Sequence, residues 1–196
     1  MSKTTDQSAL IEQLSCTLEQ SEEKLKNSIK TRVETAHSLV NTHAAAGVSI
    51  GLLPMPLFDM ISIMGVQVNM LRSLCMHYDI VFNESLGKSL LASLAKGVLP
   101  VLTVMSISSI AKGFLGIGTL LGSAGVSTSA GALVYASGQV FIRHFEAGGT
   151  LEDFESKQAM EYFKYKFKEG KIRVFLEKQY NKSKSAISDV LKKDNK

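Results

Sequence analysis

Charged side chains are nearly absent from the middle of this sequence. Residues 44–142 carry four Lys or Arg and three Asp or Glu, whereas residues 143–196 carry thirteen and nine. Most of the net charge of +4 therefore comes from the C-terminal quarter. A nucleic-acid partner is not expected, because a nucleic-acid groove needs basic side chains along the path of the phosphates. Such segregation of charge favours a membrane or a buried helical core.

Cysteine and histidine are also scarce, which leaves little for a metal site or a disulfide framework. Cys16 and Cys75 are far apart, and the four histidines lack the i, i+4 spacing of a helical metal site. No serine or cysteine has a base at a recognisable motif spacing. The sequence therefore predicts reduced thiols, no metal, no cofactor and no enzymatic activity. A cleaved export signal is not predicted either.

Two glycine motifs resemble nucleotide-binding loops but lack necessary parts. Gly87-Lys88-Ser89 ends like a phosphate-binding loop, but Phe82 stands where the first glycine of that loop is required. Residues 116–122 resemble a dinucleotide fingerprint without the strand that should precede it. Phosphate binding is therefore not expected at Gly87-Lys88-Ser89, and close helix packing is the better explanation of the glycines in residues 116–122.

The first 43 residues have the periodicity of one long amphipathic helix. Their apolar side chains recur about every 3.6 residues, with polar residues between them. Such a helix is expected to pack on the rest of the chain or on a partner. The apolar positions are Ile11, Leu14, Leu18, Leu25, Ile29, Val33, Ala36 and Val40.

Residues 44–149 are predicted to form an apolar helical, membrane-associated domain. Pro54 and Pro56 predict a turn between two helices, the second covering about 57–77. Asp59 is near the start of that second helix, where a carboxylate can interact with the exposed N–H groups of the first turn.

The longest uncharged stretch predicts a helical hairpin. Between 96 and 143 the only charged side chain is Lys112. The expected arms are residues 89–111 and 128–145. The glycine-rich stretch 113–125 between them is expected to form the tip or a short re-entrant helix, with Gly118 and Gly122 as close-packing positions.

Two environments for this hairpin stay open. A membrane-spanning helix needs about 20 predominantly apolar residues, and the hairpin is long enough, with Lys112 at the membrane interface. Its many glycines, however, also suit the buried core of a soluble bundle.

The C-terminal part is predicted to be a basic amphipathic helix over 150–181, followed by a disordered tail over 182–196. Thr150 and Asp153 have the spacing of a capping box at its start. Mixed aromatic and basic residues are typical of a helix at an anionic membrane surface. A solvated outer face of a packed helix is the alternative. The expected membrane-interface residues are Lys164, Lys166, Lys168 and Arg173.

Together these patterns predict an all-α protein, a helical bundle whose central apolar, Gly- and Ala-rich hairpin is flanked by long amphipathic N- and C-terminal helices. Six motifs occur in order within roughly residues 36–150: residues 44–47 (Ala-Ala-Ala-Gly), 54–59 (Pro-Met-Pro, then an acid), 86–88 (Leu-Gly-Lys), the glycine-rich stretch 113–125, 135–138 (Tyr-Ala-Ser-Gly) and 145–149 (Phe-Glu-Ala-Gly-Gly). This order resembles the domain-of-unknown-function 697 family, which includes YcjF-type bacterial inner-membrane proteins.

The resemblance implies a helical, membrane-associated domain that often occurs beside Era-like GTPase domains. We therefore expect a non-enzymatic adaptor or scaffold at the bacterial inner membrane, with both termini cytoplasmic. Its expected partners are membrane lipid, a separately encoded GTPase and further copies of the chain. Alternatives are a soluble helical interaction module or effector, and a pore-forming or membrane-remodelling protein that uses the glycine-rich hairpin.

Overall fold

A computed structural model of the chain describes the backbone of residues 3–50, 56–98 and 118–194, and the side chains of residues 13–50, 61–98 and 127–185. Over these ranges the chain forms five α-helices and no strand, which confirms the all-α class. The helices are α1 (Lys3–Ile50), α2 (Pro56–His77), α3 (Glu84–Lys96), α4 (Gly118–Glu146) and α5 (Ser156–Asp194).

The chain divides into two compact units, Met1–Ala36 and His37–Lys196. The first unit is helical from Lys3 onward, and the second contains the end of α1 and all of α2 to α5. Helix α1 continues without a break through residue 44, where the sequence predicts a new domain. Alanine is the strongest helix former, so the run Ala44-Ala45-Ala46 extends the helix.

Helix α4 is the buried centre of the second unit. It packs against α5, α2 and α3, and a helix that is apolar on all sides is stable only when it is covered on all sides. Its buried polar side chains have partners: the Ser137 hydroxyl donates to Gln67 Oε1 of α2 at 3.1 Å. The fully covered apolar side chains of α4 include Ala132, Val134, Ala136 and Phe141.

Glycines set the close approach of α1 and α4. A Cβ atom added at Gly138 of α4 would lie 2.6 Å from Val40 Cγ1, and one added at Gly47 of α1 would lie 3.0 Å from Val134 Cγ2. A side chain at Gly131 would likewise overlap α1. The distance between two packed helices depends on the side chains at their contact, so these glycines bring the two backbones together.

The predicted turn and cap lie at the edge of the described region. The expected helix over 57–77 is confirmed as α2, whose first residue, Pro56, occupies a position that tolerates proline because its missing N–H would have no intrahelical partner. Asp59 lies in the first turn of α2, but its side chain and Pro54 lie outside the described residues.

The hairpin prediction is corrected at both arms. Helix α3 begins at Glu84, five residues before the predicted arm, because Asn83 Oδ1 accepts a hydrogen bond from the Leu86 N–H at 3.0 Å and caps the helix. Helix α4 begins at Gly118 and runs to Glu146, so residues 118–125 continue into the second arm and form neither a tip nor a separate short helix. A glycine costs a helix only about 1 kcal/mol, which packing can offset.

Three parts of the hairpin prediction lie outside the described residues: Lys112, most of the first arm, and the surroundings of Gly118 and Gly122 within the first turns of α4. None of the helices over the described ranges is long and apolar enough to cross a membrane.

Helix α5 differs from its prediction at both ends. It begins at Ser156 and not at Thr150, because the residues from 147 to 155 form a separate turn. It continues to Asp194 through most of the predicted disordered tail. No glycine or proline follows Gly170, and the Lys, Ala and Leu residues of this segment are good helix formers.

Candidate functional site

The inner face of α5 is held closely against α4. Phe163, Phe167 and Val174 are buried, and they share one side of α5 with Gly170. A Cβ atom added at Gly170 would lie 2.9 Å from Tyr135 Cδ1. The two helices therefore meet closely around Tyr135.

A polar cluster surrounds Tyr135 at this contact. The Tyr135 hydroxyl donates to Glu169 Oε1 at 2.5 Å and accepts from Arg173 Nη1 at 3.0 Å. Lys166 Nζ donates to Glu169 Oε2 at 2.7 Å, and the Arg173 guanidinium carbon lies 4.8 Å from the centre of the Tyr135 ring. Lys166 and Arg173, two of the predicted membrane-interface residues, are thus engaged with α4 and Glu169.

The electrostatics of the cluster follow from partial burial and pairing. Burial raises the pKa of Tyr135, and its hydrogen bond to Glu169 raises it further. Burial also acts to raise the pKa of Glu169, but hydrogen bonds from Lys166 and Tyr135 outweigh that effect and hold the pKa below its usual value. The tyrosine is therefore protonated and the glutamate ionised near pH 7, as their hydrogen bond requires.

His37 adjoins the same cluster. Its Nδ1 lies 3.0 Å from Gln139 Nε2, so the neutral ring accepts a hydrogen bond from the amide. Burial lowers the pKa of His37, and the positive charges of Lys166 and Arg173 lower it further. Charge-assisted hydrogen bonds of Glu169 and Arg173 to Tyr135 hold α5 against α4. Both carboxylate oxygens of Glu169 accept hydrogen bonds within the cluster.

The turn between α4 and α5 is closed by His144 and Asp153. His144 Nε2 donates to the Thr150 carbonyl oxygen at 2.8 Å and lies 3.2 Å from Asp153 Oδ1. Asp153 Oδ1 also accepts from the Thr150 N–H at 2.6 Å and the Thr150 hydroxyl at 2.9 Å. Hydrogen bonds from Thr150 lower the pKa of Asp153 to about 2.

Two glycines make this turn possible. Gly148 has a φ of 84°, a conformation that side chains disfavour. A Cβ atom at Gly149 would lie 2.7 Å from His144 Cδ2. The spacing of Thr150 and Asp153 is therefore a turn signal here and not the start of a helix.

A shallow groove of about 570 Å³ runs between α2 and α3. Apolar and charged side chains both line it. Among the charged ones, Glu84 pairs with Lys88 at 2.7 Å and with Arg72 at 3.4 Å. Gly87 belongs to α3 and is buried, with an added Cβ 3.2 Å from Leu71 Cδ2. The Gly-Lys-Ser motif is therefore helical, and packing explains its glycine.

No group of three or more His, Cys, Asp or Glu side chains that could hold a metal ion occurs in the described part of the chain.

Exposed apolar side chains are concentrated in two rows. The first, here called the α1 row, belongs to the N-terminal unit and consists of Leu14, Leu18, Leu25 and Ile29, which are 44–63% exposed. The second, here called the outer face of α5, is 55–67% exposed and consists of Tyr165, Ile172, Phe175, Leu176 and Tyr180.

The remaining predicted interface lysines lie near the outer face of α5. Lys168 is exposed. Lys164 is partly exposed and forms a surface ion pair with Glu161 at 3.0 Å. The predicted set of four basic residues therefore divides in two: Lys164 and Lys168 at the surface, and Lys166 and Arg173 in the Tyr135 cluster.

Sequence reasoning missed the cluster and the close-packing glycines. The predicted close-packing pair, Gly118 and Gly122, lies outside the residues whose side-chain contacts are described and stays a prediction. The described contacts use Gly131 and Gly138, seven residues apart on α4. Their seven-residue spacing places them on one side of a helix, and this was the signal available.

These helices and contacts belong to a helical family of unassigned role. Residues 16–185 match the family described as Domain of unknown function (DUF697), and the chain belongs to that family. It is similar to Magnetosome membrane protein 22 of Magnetospirillum gryphiswaldense, with 33% identity over 156 residues, which cover 79% of this chain and 80% of the relative. No solved structure matches the chain. The expected family is confirmed, and the comparisons indicate no enzymatic family.

Proposed function

We propose that this chain is a non-enzymatic, membrane-associated adaptor or scaffold that serves a separately encoded Era-like GTPase. The observation that carries the proposal is the placement of its exposed apolar side chains. They form the α1 row and the outer face of α5. The polar side chains of the Tyr135 cluster, between α4 and α5, are instead hydrogen-bonded to one another. Two apolar rows are what an adaptor needs to contact two different partners.

Membrane association is supported by family membership and by the relative that is itself called a membrane protein. The excess of basic over acidic residues in the C-terminal quarter supports a location at the cytoplasmic side of the bacterial inner membrane, with both termini in the cytoplasm.

The α1 row is the proposed contact for the GTPase. Leu14, Leu18, Leu25 and Ile29 are separated by four, seven and four residues, so they lie along one side of the helix. A partner can cover such a row with an apolar groove. Two copies of this chain pairing through their own α1 rows is the rival arrangement.

Fractionation of cells that express the tagged chain tests the membrane part of the proposal. The chain is expected in the membrane pellet after low-salt lysis. Recovery of all of the tagged protein in the supernatant would reject membrane association. An alkaline carbonate wash then separates peripheral from integral attachment.

Copurification from solubilised membranes tests the GTPase part. The native chain is expected to retain an Era-like GTPase, and Leu18→Ser with Leu25→Ser is expected to lose it while keeping the helical content of the native chain. Val81→Ser is the matched control, because Val81 is 80% exposed and lies outside both rows. Retention of the GTPase by the Leu18 and Leu25 variant would reject the α1 row, and recovery of only this chain would indicate self-association.

A further inference from the structure

We propose that the outer face of α5 is a binding surface for anionic bilayers, on which the helix lies parallel to the membrane. This inference rests on the membrane association proposed above and specifies which residues provide it. It requires no spanning helix.

The first support is that one side of α5 is buried and the opposite side is exposed. Phe163, Phe167 and Val174 are covered by the rest of the protein, whereas Tyr165 and Ile172 are 62% and 61% exposed. Tyr165, Ile172, Leu176 and Tyr180 follow one another at separations of seven, four and four residues. With 3.6 residues per turn they fall on one side of the helix, opposite the buried side chains.

The second support is the chemistry of that side. Tyrosine suits the level of the lipid headgroups, because its ring is apolar and its hydroxyl can stay hydrated. Leucine and isoleucine can enter the outer part of the acyl region, as in other helices that lie in the membrane interface. A row that ends in Tyr165 and Tyr180 and has Ile172 and Leu176 between them matches this arrangement.

The third support is charge. Residues 156–185 contain nine Lys or Arg and three Glu. Lys164, Lys168 and Lys171 lie along one edge of the outer face, at the spacing of helical neighbours. An anionic membrane surface attracts such side chains. The ion pair of Lys164 with Glu161 is exposed to solvent, and exposed pairs of this kind contribute little, so lipid phosphate can replace the carboxylate.

The Tyr135 cluster refines the choice of lipid-binding residues. Arg173 and Lys166 carry positive charge but contact Tyr135 and Glu169. Their removal would disturb the α4–α5 contact and would not test lipid binding. Lys164 and Lys168 are the informative positions.

Vesicle flotation of the purified full-length chain tests the surface. The native chain is expected to float with vesicles of phosphatidylglycerol and phosphatidylcholine, and to float less with phosphatidylcholine alone. Lys164→Gln with Lys168→Gln should weaken binding by about fivefold for each lysine. The control is a variant with Lys26→Gln and Lys30→Gln in α1, which loses the same amount of charge at a different place. This control should bind the anionic vesicles as well as the native chain does.

A tryptophan reporter tests where the chain contacts lipid, because the sequence contains no tryptophan. With anionic vesicles, Tyr165→Trp should shift its emission to shorter wavelength. Val81→Trp, at an exposed position in the α2–α3 connection, should not shift. Ile172→Ser with Leu176→Ser should lose flotation while its circular dichroism stays native.

The outcomes separate the two proposals. If the native chain sediments with cell membranes but does not float with anionic vesicles, only the lipid surface is rejected; if it neither sediments with membranes nor floats, the membrane association is rejected as well. If the native chain floats but the Ile172 and Leu176 variant floats equally well, or the tryptophan in place of Tyr165 shows no shift, only the α5 surface is rejected. Equal binding to both vesicle types would reject the role of the lysines.

Discussion

Adding a single methyl group at Gly138 should destabilise the protein, although alanine is the better helix former. The Cβ atom of Gly138→Ala would lie 2.6 Å from Val40 Cγ1 and 3.0 Å from Val40 Cβ, whereas carbon atoms pack best at about 3.5–4.0 Å. Valine in a helix has one strongly preferred rotamer, so Val40 cannot turn away. Overpacking of this kind costs about 1–3 kcal/mol, and here the upper end applies.

The gain in helix propensity, about 1 kcal/mol, leaves a net loss of about 2 kcal/mol. For a chain of this size the melting temperature should fall by about 4–8 °C. Gly65→Ala is the matched control in α2, because a Cβ there would meet nothing within 4 Å. Its melting temperature should rise by about 2–4 °C.

Thermal unfolding followed by circular dichroism at 222 nm measures the melting temperatures of both variants. In a Val40→Ala background, Gly138→Ala should be much less destabilising, because both overlapping Cγ atoms are gone and only the Val40 Cβ, at 3.0 Å, remains close. If Gly138→Ala raised the melting temperature as much as Gly65→Ala does, the close contact between α1 and α4 would be wrong.

Three further predictions concern polar and thiol side chains. Tyr135→Phe removes the hydroxyl shared with α5 and should lower the free energy of unfolding by about 1–2 kcal/mol in urea titration; an unchanged value would contradict the cluster. Asp153 has a folded pKa of about 2, below the ordinary aspartate value of 3.8, so its stabilising effect should be complete above about pH 4 and lost as pH falls towards 2. Asp153→Asn should flatten that part of the stability profile, and a parallel profile would refute the assignment. A thiol reagent at pH 8 should label Cys16, which is exposed, and leave Cys75, whose pKa burial raises to about 11, until the chain is unfolded; rapid native labelling of Cys75 would show that its site opens.

Local patterns predicted the elements whose signals are local. Proline and apolar periodicity gave α2 almost to the residue, and the uncharged stretch indicated that α4 would be sheltered. The start of α5 was missed because Thr150 and Asp153 have the same spacing in a capping box as in the turn they form. The His144 contact, from the preceding helix, and the two glycines before Thr150 are what favour the turn.

The site was predictable only in part, because its contacts join distant residues. Lys166, Lys168 and Arg173 are equally basic in sequence. Lys166 pairs with Glu169, three residues further on, whereas the partner of Arg173 is Tyr135, which lies more than thirty residues earlier. Likewise, the spacing of the glycines does not reveal which of them faces a valine. The exposed rows were visible as periodic apolar residues, but periodicity alone does not show whether a row is covered.

Amide hydrogen exchange of the native chain, with and without anionic vesicles, tests the central claim most directly. The account predicts that vesicles slow exchange in peptides covering residues 161–182 of α5 and leave α2 and α3 unchanged. Unchanged exchange throughout α5 in the presence of bound vesicles, or slowing confined to the groove between α2 and α3, would contradict it.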